Sequence, residues 1–338
     1  GGHFYQILKY EGAPEKLPKT LHWFMWEAYM TWITGFCLLV VVYYMNAEIY
    51  LIDPGQAALG TWEAIGASLG FLAGGWIVYD LMCKSPLQKS PAAFAVIGFA
   101  AMTGAAYALS ELFGSRAAYI HVGAMIGTMM AANVFFVIIP NQRKMVDAMT
   151  RGEKPDISLG AAGALRSLHN NYLTLPVLFI MVSNHFPMTF GHAFNWAVLA
   201  ALSLIGAGAR HYFNLKHQGH NKVWILPVAA LAMFALAFVS RPQSVEAPSE
   251  GSVSYAEAEA VIRERCSTCH AANPTFTGIQ TAPQGVMYDT PQQIQAMSSK
   301  IKAMAVDSMA MPPGNITQIT DEERALLGAW VSQGARIE

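Results

Sequence analysis

Charged residues are scarce in this sequence. Asp, Glu, Lys and Arg make up 13 % of its 338 residues, about half the roughly 25 % of a soluble globular chain. Together with 54 % hydrophobic residues and a mean hydropathy of +0.31, the shortage excludes disorder and disfavours a wholly soluble protein. Net charge is also lacking. At −1 overall, nothing favours nucleic acid or an anionic membrane surface as a partner. The chain starts Gly1-Gly2-His3, without an initiator Met and without the charged–apolar–small layout of a signal peptide. An upstream segment or processing is therefore expected.

The scarcity of charge is uneven. Residues 1–240 hold 14 basic and 11 acidic side chains, and residues 241–338 hold 7 and 11. Within the first part, seven apolar runs approach the about 20 residues that a helix needs to cross hydrocarbon. They lie near 29–50, 62–82, 92–112, 118–139, 165–185, 193–213 and 223–239. A soluble helical core would need a polar face on each, and these runs mostly lack one. Gly66, Gly70, Gly74 and Gly75 have the spacing that lets helix backbones approach closely in a bilayer. Basic residues are one-sided. The segments 1–28, 83–91, 140–164 with Arg166, and 210–222 carry 13 of them, whereas the alternate loops carry only Arg116. The positive-inside rule then puts residue 1 inside and everything after Val239 outside.

Residues 240–252 read as a polar linker punctuated by Pro242 and Pro248,. Three short helices follow, each announced by a start signal: Ser254 with Glu257, Thr290-Pro291 with Gln293, and Thr320 with Glu323,. The aliphatic core they can form is thin, and small domains of that kind usually need a staple. Cys266-Ser-Thr-Cys269-His270 supplies one, because C-x-x-C-H is the attachment motif of a c-type haem. Two thiols one helical turn apart form thioethers, and the adjacent histidine becomes the proximal iron ligand. A redox C-x-x-C would expect a βαβ setting. A zinc site would want further Cys or His nearby, and none lies downstream of His270. The second axial ligand is expected from Met304, Met309 or Met311. Met311 is favoured because Pro312, Pro313 and Gly314 shape a stiff turn behind it. Cys37 and Cys83 read as inert packing residues. The expected architecture is all-α, with a polytopic helical membrane domain over 1–239 and a small c-type cytochrome domain over 253–338.

Several stretches together resemble the membrane-bound, cytochrome c-fused bacterial urate oxidases of the urate hydroxylase type. They are residues 2–10, 21–29, 46–54, 166–176 and 183–187, with Cys266–His270, Met311–Asn315 and Thr320–Arg324 in the tail. Members of that family usually carry one more membrane helix upstream. The resemblance implies oxidation of urate to 5-hydroxyisourate. Electrons would pass through one covalent haem c, held by Cys266, Cys269, His270 and Met311, to a soluble cytochrome c or a terminal oxidase. It also implies a bacterial inner (plasma) membrane location, with the haem domain on the periplasmic side. No catalytic motif carries over.

Polar residues inside a bilayer are functional candidates by default. The outer ends of the predicted helices gather Glu48, Asp53, Glu111, His121, His185 and His192. The inner ends gather His22, Glu27, Arg166, His169, Asn170, Asn171, Arg210 and His211. The outer group lies nearer the haem domain, so His121, His185 and His192 are weighted for catalysis. The inner group would suit a planar anionic purine. Two electrons leaving through a one-electron haem require stepwise transfer or a second centre. An additional b-type haem in the membrane domain is the alternative, although no two histidines show a pairing signature. The competing reading is an electron-transfer subunit of a respiratory complex without its own substrate.

Overall fold

The computed structural model describes residues 25–241 and 252–337. His22, the amino-terminal basic residues and most of the linker lie outside the described residues. Within them every regular element is helical and no strand occurs. Seven long helices form a bundle: α1 (Met25–Tyr44), α2 (Thr61–Lys84), α3 (Pro91–Leu112), α4 (Ser115–Thr150), α5 (Ile157–Val182), α6 (Asn195–His217) and α7 (Ile225–Val239). Four of them, α1 to α4, are both long and apolar enough to cross a membrane. The other three predicted spans differ for identifiable reasons. Helix α5 carries Arg166, His169, Asn170 and Asn171, α6 carries Arg210 and His211, and α7 is apolar but only 15 residues long.

Local signals set the helix starts. The Gly60 N–H donates to Glu63 Oε2 at 2.9 Å ahead of α2. Pro91 opens α3, where its missing N–H costs nothing. Asp156 Oδ1 accepts the Ser158 N–H at 2.9 Å to start α5. Two boundaries differ from the sequence reading. The first predicted span, 29–50, ends at Tyr44, and Ala47–Tyr50 forms a separate turn. The predicted loop at 140 is still helix, so Arg143 and Lys144 lie on α4. Pro140 does not end the helix because Asn133–Ile138 widens into a π turn before it, where the proline ring is accommodated.

Of the four glycines expected at close helix approaches, only Gly75 makes one, and Gly123 and Gly206 make others. Nothing lies within 4 Å of a Cβ placed on Gly66, Gly70 or Gly74. At Gly75 it would meet Met125 Cγ at 2.5 Å, at Gly123 Ile180 Cγ2 at 2.5 Å, and at Gly206 Leu175 Cβ at 3.2 Å. These three positions set the α2–α4, α4–α5 and α5–α6 crossings. Helix α4 is central and buries Tyr119, His121, Val122 and Ile126.

The carboxy-terminal part contains α8 (Tyr255–Arg265), α9 (Pro291–Ala296) and α10 (Asp321–Ser332). All three begin in the predicted capping boxes. Ile262, Ile294, Leu327 and Trp330 are its most buried side chains. It sits on one end of the bundle, the capped end. There Ala310 packs on the bundle core, and a Cβ on Gly314 would lie 2.6 Å from the Ile52 carbonyl oxygen. A Cβ on Gly191 would collide with the Ser308 carbonyl oxygen. The opposite end carries Lys84, Lys89, Arg151, Lys154, Lys216 and Lys222 and is called here the basic end.

Candidate functional site

The C-x-x-C-H motif continues α8 by one more turn. The Ile262 carbonyl accepts from the N–H groups of Cys266 and Ser267, both at 2.9 Å. The Cys266 carbonyl accepts from Cys269 at 3.2 Å and from His270 at 2.9 Å. Both thiols are unpaired. Burial pushes the Cys266 thiol up to about 12, the opposite of the lowered value that a redox-active thiol needs. His270 Nδ1 lies 3.0 Å from the Val286 carbonyl oxygen. A carbonyl can only accept, so Nδ1 holds the proton and Nε2 keeps its lone pair. Burial lowers the His270 pKa and so favours the neutral imidazole.

The methionine loop is tied to the last helix. Met311 donates its N–H to Met304 at 2.9 Å, and its carbonyl accepts from Arg324 at 2.9 Å. Arg324 is buried and also donates to the Ala305 carbonyl. Arg265 grips Glu323 through Nε and Nη2, with each contact between 3.0 and 3.1 Å. Met309 is 53 % exposed. Sequence reasoning overlooked both arginines as clamps. The available signal was an arginine in the first turn of a helix that starts beside three acids, Asp321, Glu322 and Glu323.

At the capped end, the three weighted histidines are not brought together. His121 is fully buried on α4, its Nδ1 donates to the Ala117 carbonyl at 2.7 Å, and its Nε2 has no partner. The rings of Tyr43 and Phe113 pack on it. His185 is exposed, and His192 accepts the Phe194 N–H at 3.0 Å. Among the described residues no hydrogen bond or ring contact joins these three, and no three His, Cys, Asp or Glu side chains cluster to hold a metal ion.

The basic end is different. Arg166 donates to Asp80 Oδ1 at 2.6 Å and to Asn133 Oδ1 at 3.2 Å. Lys84 pairs with the other Asp80 oxygen at 2.6 Å. Because Asn133 Oδ1 faces Arg166, its amide nitrogen donates onward, to Asn170 Oδ1 at 2.7 Å and to the Tyr79 hydroxyl at 3.1 Å. The Tyr79 hydroxyl in turn lies within hydrogen-bond distance of His169 Nδ1, at 2.9 Å. His169 stacks on Phe94 at 4.6 Å. Arg210 donates separately to Asn171 at 2.8 Å, and Tyr172 meets His211 at 2.7 Å. Asp80, Tyr79 and Asn133 were missed by sequence reasoning. Asp80 could have been found as the acid four residues ahead of Lys84 within an apolar run.

Residues 1–241 match the urate oxidase N-terminal family. The chain belongs to the urate oxidase N-terminal family. No curated protein and no solved structure matches it. A urate oxidase relationship supports an oxidoreductase with urate as substrate, and the apolar helices α1 to α4 are consistent with a membrane protein of that family. The family match ends ahead of Cys266, so the C-x-x-C-H domain stands on its own residues.

Proposed function

We propose that the protein oxidises urate to 5-hydroxyisourate at a membrane and passes the electrons through a covalent haem c to a respiratory acceptor. Urate and water yield 5-hydroxyisourate, two protons and two electrons, so an electron acceptor is required. The observation that carries the reading is the conjunction of a urate oxidase family match over residues 1–241 with a C-x-x-C-H turn in which His270 Nε2 is free to ligate. The residues fit a c-type haem. Cys266 and Cys269 offer unpaired thiols on one turn, and Val286 fixes the tautomer of His270 as outer partners of ligating histidines do. Such a haem, when bound, supplies one-electron transfer.

The remaining steps belong to the chain. His270 and Met311 would hold the iron of such a haem, which would then serve electron transfer and not oxygen binding. Arg324 holds the Met311 backbone, and the 308–314 loop seats this site against the bundle. His121 would offer an imidazole to an additional b-type haem between the helices. In this reading all seven long helices span the bacterial plasma membrane, the basic end faces the cytoplasm, and the capped end with its haem domain faces the periplasm. A soluble cytochrome c or a terminal oxidase accepts the electrons.

Membranes carrying the protein are expected to oxidise urate without stoichiometric hydrogen peroxide. Their oxygen uptake should stop when the terminal oxidase is inhibited. The double variant Cys266→Ala/Cys269→Ala should lose both haem staining after denaturing electrophoresis and membrane-coupled turnover. Peroxide formed in proportion to urate by the purified protein would contradict the route.

A further inference from the structure

At the basic end α2, α4 and α5 enclose a cleft of about 640 Å³, within the range of roughly 300–1,000 Å³ typical of small-molecule sites. One wall is aromatic: the rings of Trp76 and Phe136 lie 5.9 Å apart and within 25° of parallel. Next to it stand Arg166 and Lys84, both paired to Asp80 at 2.6 Å. Two cations against one carboxylate leave the cluster with a net charge of +1. Gln88 and Asn141 complete the polar lining; Asn141 donates one N–H to the Leu159 carbonyl at 3.2 Å and keeps a second donor and its oxygen for a ligand.

The guanidinium is preorganised. Arg166 is 4 % exposed, is held by Asp80 and Asn133, and lies over the Tyr79 and Trp76 rings at 5.0 and 5.6 Å. Two of its five N–H donors are engaged by those bonds, so others stay available to a ligand. The π turn Asn133–Ile138 delivers Phe136 and Val137 to the cleft, and such turns recur at functional sites. A buried Arg166–Asp80 pair could act purely as a tie between α2 and α5. That role accounts for neither the second cation, nor the amides, nor the open volume.

We propose that this cleft binds the urate anion, with the purine ring against the Trp76–Phe136 wall and its negative edge toward Arg166 and Lys84. The inference rests on the urate oxidation reading and adds a location. The cleft lies at the end opposite the docked haem domain. Along α4, Ser115 and Asn133 are 18 residues apart, roughly 27 Å at about 1.5 Å per residue. Substrate is therefore taken up on the cytoplasmic side. This reverses the greater weight that sequence alone gives to His121, His185 and His192.

The test uses the full-length protein in detergent, with ferricyanide as acceptor, and reads kcat, KM and covalent haem content. Trp76→Leu and Asn141→Ala should each raise the KM for urate about tenfold, the size of a lost stacking or hydrogen-bond contact, with haem content unchanged. Arg166→Lys, which keeps charge but loses the fork, should raise it further. Trp62→Leu, an 83 % exposed site at the other end of α2, should behave as the parent. Inside-out vesicles should oxidise added urate, and right-side-out vesicles should do so only after permeabilisation. If the parent oxidises urate while Trp76→Leu and Asn141→Ala keep KM within twofold, or if the sidedness is reversed, the placement is wrong and the function stands. If the parent neither binds nor oxidises urate, the function reading fails and the placement with it.

Discussion

The two ends of the helical bundle solve different problems. At the capped end, Arg116 bonds Asn184 on the surface, while the buried polar side chains satisfy backbone: His121 bonds Ala117, Tyr119 lies 2.7 Å from the Asn195 carbonyl, and Asn195 donates to Phe190. The surface this produces is close-fitting, with Gly191 and Gly314 at its contacts with the docked domain. At the basic end the polar side chains bond one another, in a chain from Lys84 through Asp80, Arg166 and Asn133 to Tyr79 and His169. A connected, buried charged network is costly unless fully satisfied. Its presence at one end alone separates a surface built for holding a domain from one built for holding a small charged molecule.

The largest effect is expected where the network is broken. Asp80→Asn leaves Arg166 buried without its counter-charge and should cost about 3–5 kcal/mol of stability. Lys84→Ala, which removes a mostly exposed partner, should cost no more than about 1 kcal/mol. Thermal unfolding in detergent measures both, and equal small losses would show that the basic end is an ordinary surface. The capped end should respond to bulk and not to charge. Gly191→Leu drives a side chain into the Ser308 backbone and should cost the docked arrangement about 1–3 kcal/mol. Haem content should stay intact while urate-dependent haem reduction slows. Unchanged reduction kinetics would mean that docking does not serve electron transfer. The smallest change in stability is expected at the methionine loop. Met311→Ala should abolish the sulfur-to-iron charge-transfer band and lower the haem potential, whereas Met309→Ala should leave both in place. The reverse result would move the ligand to Met309.

Much of this comparison is legible in the sequence, and the exceptions have physical causes. The caps at Ser254, Thr290 and Thr320 are local signals read over four residues, and all three form. The C-x-x-C-H turn is equally local. The helix runs on past the expected boundary at 139 because a π turn relieves Pro140, and such a turn leaves no mark in composition. Of the four glycines expected at crossings only Gly75 meets a neighbour, because spacing does not say which helix face is packed. The basic-end site was half visible. Arg166, His169 and Asn170 stood out as polar residues in an apolar run, but Asp80, Tyr79 and Asn133 join them only through pairing between helices 33 to 90 positions apart in sequence.

The central claim is that urate oxidised in the bundle delivers its electrons to the haem of the carboxy-terminal domain. Anaerobic mixing of urate with the oxidised, purified protein tests it most directly, followed by the haem absorbance. The account predicts reduction of the covalent haem, saturating in urate, with two haems reduced per 5-hydroxyisourate formed. A haem that stays oxidised while urate is consumed, or that stays oxidised with urate untouched, would contradict it.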